Sequence, residues 1–134
     1  MGVDVVDVDR MRAVLDRRPS VVDRVFTDSE RAWCSARVRP WVHFAARFAA
    51  KEAVRKALGR ACDWSAVEVR RHRSGAPYLA LGRLTTADGA DVTAASLSLT
   101  HDGSVAIAVV ALEVDQPSAS PAPSSGSAAA SASR

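Results

Sequence analysis

WVHFAARFAAKEAVRKALG, residues 41–59, is the stretch that decides the fold. Its first eighteen residues contain neither Gly nor Pro, and Gly59 stands where a helix is closed by a residue free to turn left-handed. A helix is therefore expected over Trp41 to Leu58. Helical spacing sets Phe48, Glu52 and Lys56 on one ridge and Arg47, Lys51 and Arg55 on the adjacent one. Ala46, Ala49, Ala50, Ala53 and Ala57 form a smooth face opposite, suited to close packing. Glu52 then sits between an apolar contact and a cationic ridge. That position fits a surface ion pair with Lys56 or Lys51, and it equally fits a metal ligand whose cationic neighbours hold phosphates.

C-terminal to this helix, Val67 to Arg71 and Tyr78 to Leu81 read as strands, separated by the Ser74-Gly75 turn and Pro77. Ala95 to Thr100 and Val105 to Val114 read as two more, joined through Asp102-Gly103 as a hairpin. On the N-terminal side, Val3 to Val8 alternates Val with acid like a short strand that stops at Asp9 and Arg10. Met11 to Leu15 reads as a short helix closed before Pro19. Thr27 and Glu30 have the spacing of a capping box, followed by a helix from Asp28 to Arg37. This order predicts an α+β fold, a mainly antiparallel sheet packed on one long central helix. From Pro117 onward the chain contains only Ser, Ala, Pro and Gly before Arg134, too little apolar surface to offset ordering. A folded domain over residues 1–115 and a disordered tail over 116–134 are expected.

With 134 residues there is room for one compact domain. The 18 basic residues exceed the 15 acidic ones only slightly, and all but Lys51 and Lys56 are arginines. Arginine suits phosphate or carboxylate partners because its planar guanidinium donates two parallel hydrogen bonds. Near-balanced charge without an aromatic stacking platform argues against a nucleic-acid binder. Cys34 and Cys62 are isolated and read as reduced thiols. Asp4, Asp7 and Asp9 are incompatible with a secretory leader, and no run reaches the ~20 apolar residues of a membrane span. A cytoplasmic location is expected.

Asp4 lies within an apolar strand, where a carboxylate needs a cation, a metal or backbone donors. It could simply cap the strand end or face water. Paired with Glu52 it supplies two hard oxygen ligands, which suits Mg²⁺ because that ion fills its other positions with water and substrate phosphate. His101 precedes the Asp102-Gly103 turn, and it reads either as a turn histidine or as a side chain meeting a phosphate. Arg10, Arg17 and Arg24 recur every seven residues, as a solvated face or as a docking strip for an acidic partner helix.

Three blocks, taken together, resemble the holo-acyl-carrier-protein synthases, the short group of 4′-phosphopantetheinyl transferases. They are residues 2–10 (GVDVVDVDR), residues 47–53 (RFAAKEA) with 56–59 (KALG), and residues 98–102 (SLTHD). The resemblance covers about residues 2–114. It implies transfer of the 4′-phosphopantetheine arm of coenzyme A to a serine of an apo-acyl carrier protein, of fatty-acid or polyketide type, leaving 3′,5′-ADP. Asp4 and Glu52 match the family's two magnesium-binding carboxylates. Lys56, Arg47 and His101 match positions near the cofactor phosphates, with Lys56 also supporting the leaving group. Gly59 and Pro77 match backbone positions lining the nucleotide site. Arg10 matches a residue that contacts the carrier protein, a role extended here to Arg17 and Arg24. Members of this group are typically homotrimers with each site built between neighbouring protomers. The first strand is shorter than is usual in relatives, and the Ser/Ala/Pro tail is not a family feature.

Overall fold

The computed structural model describes residues 1–116; the tail expected beyond the folded domain lies, from Pro117 on, outside the described residues. Strand β1 (Gly2–Asp7) leads directly into α1 (Val8–Arg17), then α2 (Pro19–Val25), α3 (Asp28–Ser35) and the long α4 (Pro40–Leu58). A single 3-10 turn at Trp64–Ala66 precedes β2 (Val67–Arg71) and β3 (Pro77–Leu81), and the chain closes with β4 (Asp91–Asp102) and β5 (Val105–Asp115). All pairings between these strands are antiparallel. One sheet has the order β1-β5-β4, and β2 and β3 form a separate two-stranded ribbon. The α+β class with a long helix under antiparallel strands is what the sequence predicts.

Helix α4 is the spine because its alanine face lets other elements come close. Ala45, Ala49, Ala50 and Ala53 are fully buried, and Val54 and Leu58 continue the same core. The tightest approach is made by β1. A side chain at Gly2 would sit 1.9 Å from the carbonyl oxygen of Ala53, so the strand crosses the helix at a separation only glycine permits. Alternation along β1 then turns Gly2, Asp4 and Val6 toward the helix and leaves Val3 and Val5 outward, 53 % and 58 % exposed. Gly59 closes α4 with a φ of 73°, its N–H donating to the carbonyls of Arg55 and Lys56.

Several boundaries differ from expectation. The first helix extends over Val8–Arg17, because Asp7 caps it by accepting from the Arg10 N–H at 3.0 Å. A second helix, not anticipated, begins at Pro19, a residue that ends one helix but fits the first position of the next. The third helix stops at Ser35 rather than Arg37. In the final hairpin Asp102 pairs with Val105, so the two connecting residues are Gly103 and Ser104 and not Asp102-Gly103; Gly103 supplies the positive φ at the first turn position.

The capping box at Thr27 and Glu30 is present with both reciprocal bonds. Glu30 does more than cap. It is fully buried, its Oε1 lies 2.8 Å from Lys51 Nζ, and its Oε2 accepts from the Val69 N–H at 3.1 Å. Lys51 Nζ also donates to the carbonyls of Trp64, at 3.1 Å, and Val67. With all three ammonium donors used, the buried charge is satisfied and α3, α4, the 3-10 turn and β2 meet at one point.

Candidate active site

Along α4, Phe48, Glu52 and Lys56 follow one another at four-residue spacing, and the structure turns this ridge toward β1. Asp4, Asp7, Glu52, Phe48 and Arg10 all line one cavity of about 390 Å³, otherwise walled by apolar residues such as Val6 of β1, Met11 of α1, Val22 of α2 and Phe26 just after it. Glu52, Lys56 and Gly59, with Arg55 and Arg60, line an adjoining hollow of about 320 Å³ at the C-terminal end of the helix. Lys56 Nζ donates to Asp4 Oδ1 at 2.7 Å and to the Val3 carbonyl at 3.2 Å. The Asp4 carboxylate, through both its hydrogen bond and its charge, holds the Lys56 ammonium above its ordinary pKa. Glu52 pairs with neither lysine expected of it; its Oε1 accepts from Arg55 Nη1 at 3.2 Å.

A second group gathers on the other side of α4. Arg47 stands nine positions before Lys56, two and a half turns, and so points the opposite way. It does not form an exposed cationic ridge with Lys51 and Arg55, because Arg47 is 2 % exposed and Lys51 fully enclosed. The guanidinium of Arg47 lies 4.1 Å from the Trp33 ring centroid, and those of Arg37 and Arg71 approach the same ring at 4.3 and 4.5 Å. Arg47 Nε and Nη1 are buried without a hydrogen-bond partner among the described residues. Pro77 begins β3 directly opposite Arg71. His101, exposed near the end of β4, is close enough to His43 to affect its titration. Burial first, and then the charges of Arg47, Arg71, His101 and Arg37, lower the His43 pKa from 6.5. Three cations around one indole with orphaned donors make a surface suited to an anion.

The residues singled out from sequence thus fall into two separate clusters on one chain. Asp4, Glu52, Lys56, Gly59 and Arg10 come together; Arg47, Pro77 and His101 come together elsewhere. Arg17 is exposed in the last turn of α1, and Arg24 is exposed at the end of α2 and lines a different cavity. The break at Arg18-Pro19 means that Arg10, Arg17 and Arg24 do not share one helix face. Trp33, Arg37 and Arg71, which join the second cluster, were not singled out from the sequence; the two arginines are signalled only by the arginine bias, and Trp33 by nothing.

Asp4 and Glu52 offer two carboxylates at one cavity, a donor set that fits Mg²⁺ with its remaining positions left to water and phosphate. Residues 1–110 match the family model described as the 4′-phosphopantetheinyl transferase superfamily, and the chain belongs to that family. Within it the chain is similar to holo-[acyl-carrier-protein] synthases. It is 48 % identical to that of Frankia alni, covering 81 % of this chain and 92 % of the relative, and 40 % identical to that of Moorella thermoacetica, covering 81 % and 90 %. The ACPS–CoA complex of Chronobacterium ammoniagenes superposes with a TM-score of 0.73 at 30 % identity, over 86 % of this chain and 96 % of that one. The Bacillus anthracis holo-(acyl-carrier-protein) synthase in complex with CoA (3′,5′-ADP) does so with a TM-score of 0.68 at 30 % identity, over 85 % and 95 %.

Proposed function

We propose that this protein is a magnesium-dependent holo-[acyl-carrier-protein] synthase, transferring 4′-phosphopantetheine from coenzyme A to a serine of an apo-acyl carrier protein. The observation that carries the reading is the convergence of Asp4, Glu52 and Lys56 where β1 crosses α4. In the reaction the serine oxygen attacks the pantetheine-side phosphorus of the pyrophosphate, and the bond to 3′,5′-ADP breaks. Asp4 and Glu52 would hold Mg²⁺, which when bound would offset charge on the pyrophosphate. Lys56, cationic and with its side chain 56 % exposed, supports the leaving phosphate. Glu52 or a water beside it takes the serine proton. Gly59 lets the nucleotide approach the end of α4, and Arg10 at the cavity mouth, with Arg17 and Arg24, meets acidic groups of the carrier, of fatty-acid or polyketide type.

The second cluster calls for a neighbour. Coenzyme A bound along Lys56 and Gly59 of one protomer would meet Arg47, Pro77 and His101 of the next. Val3, Val5 and Val109 expose an apolar strip on the outer face of β1 and β5, which supports self-association, and a homotrimer is the assembly proposed. Among the described residues no helix is long and apolar enough to cross a membrane, compatible with an enzyme acting in the cytoplasm.

Incubation of apo-carrier protein with this protein, coenzyme A and Mg²⁺, followed by intact mass spectrometry, tests the reading. The carrier should gain one phosphopantetheinyl group, and Glu52→Gln should abolish the gain while keeping the wild-type melting curve. No gain with either a fatty-acid or a polyketide carrier would refute the function.

A further inference from the structure

A cavity of about 700 Å³ is distinct from the two hollows that Asp4, Glu52 and Lys56 line. It opens between the end of α2, the last turn of α4, the 3-10 turn and the segment after β3. Each contributes cationic or polar walls: Arg24, Arg55, Arg60 and Arg83 line it, with Asp63 as the one acid. Arg24 and Arg83 form no ion pair among the described residues. Arg60 Nη1 reaches only the Thr85 hydroxyl, at 3.3 Å. Arg55 stacks 4.1 Å from the Trp64 ring centroid, and its Nε is buried without a hydrogen-bond partner. Four guanidiniums drawn from α2, the C-terminal end of α4 and the segment after β3 repel one another unless an anion, or bulk solvent, screens them. Their concave arrangement suits a compact, multiply charged anion better than the spread carboxylates of a partner helix, and the volume is that of a nucleotide-sized ligand.

We propose that this cavity is a second, metal-independent site for a small polyphosphorylated anion, coupled to the Asp4–Glu52 pair through Arg55. The coupling follows from one side chain serving both places: Arg55 Nη1 is bonded to Glu52 Oε1 at 3.2 Å while the same residue lines the arginine cavity. An anion that draws Arg55 into the cavity leaves Glu52 without its cation and free to take another. The inference does not depend on the transfer reaction, and its test uses neither coenzyme A nor carrier protein.

Inorganic tripolyphosphate and, separately, adenosine 5′-triphosphate are titrated calorimetrically into the full chain in EDTA, and the two arms distinguish an inorganic from a nucleoside source. Removing one charge-assisted contact should weaken binding about tenfold or more, so Arg83→Gln and Arg83→Glu are each expected to do so. Arg73→Gln, in the exposed turn between β2 and β3 and outside the cavity lining, should leave it unchanged. Mn²⁺ binding to the wild type, followed by electron paramagnetic resonance, should tighten when the preferred anion is present after correction for its chelation of the metal. The proposal is overturned if neither anion binds at millimolar concentration, if both Arg83 variants bind as the wild type does, or if Arg73→Gln weakens binding as much as they do. Unchanged melting curves for the Arg83 variants, expected for an exposed side chain, exclude misfolding as the cause.

Discussion

Lys56 Nζ and Asp4 Oδ1 are 2.7 Å apart, although 52 residues separate them in the chain. The lysine occupies the carboxylate proposed to hold a divalent ion, so under that reading metal and ammonium compete for the same oxygen. Lys56→Ala removes the competitor and should bind Mn²⁺ several-fold more tightly in the bare protein, read by electron paramagnetic resonance. Transfer should nevertheless fall about 100-fold, as on removing a donor aimed at developing charge. Weaker Mn²⁺ binding in this variant would contradict the competition.

Arg47, Pro77 and His101 face away from Glu52 on the same chain, which makes complementation a direct test of a shared site. Glu52→Gln and the double variant Arg47→Ala/His101→Ala should each be inactive alone. Mixed and reassembled, they should recover a measurable fraction of transfer, because some interfaces then carry both intact halves. Absence of recovery in verified mixed assemblies would place every essential group on one protomer.

The outward strip on β1 and β5 predicts the cost of a charge there. Val5→Lys leaves the inner face of the strand untouched and should shift the protein from oligomer to monomer in light scattering. Under the shared-site reading, activity is lost with it.

Glu30 and Lys51 are enclosed together, so removing one partner strands the other. Lys51→Met should lower stability by about 3–5 kcal/mol, measured by urea unfolding. A loss under 1 kcal/mol, roughly the value of an exposed pair, would mean that water reaches the site.

His43 has a folded-state pKa below its ordinary 6.5. The neutral imidazole is therefore the form the folded protein prefers, and this contribution is present above about pH 6.5 and lost as pH falls through the lowered folded value. The melting temperature of the wild type should fall more steeply than that of His43→Gln over that window, followed by scanning calorimetry. Parallel pH profiles would remove His43 from the acid sensitivity.

Much of the fold was legible because its signals are local. The long run without Gly or Pro, the Thr27–Glu30 spacing and the β2 boundaries translate directly into backbone structure. What was not legible depends on depth. Periodicity set Arg47 and Lys51 beside Arg55 on a helix ridge, but it carries no information on which ridge is covered, and the covering comes from α3 and β2. For the same reason Glu30 read as a cap and not as the partner of a buried lysine 21 positions later. Glu52, Lys56 and Asp4 were legible because the residue types are chemically costly where they stand, and their three-way meeting needed only β1 to cross α4.

That crossing ties the chemistry to the scaffold. Ala53, which leaves room for Gly2, is the immediate neighbour of Glu52, so variation along this turn is tested twice, once for clearance and once for reactivity. A library randomised over residues 47–56 should yield few active clones, most of the failures being proteins that never assemble the strand on the helix. A library confined to exposed positions of α1 and α2, such as Arg12 and Ser20, leaves that junction untouched and should keep most clones folded.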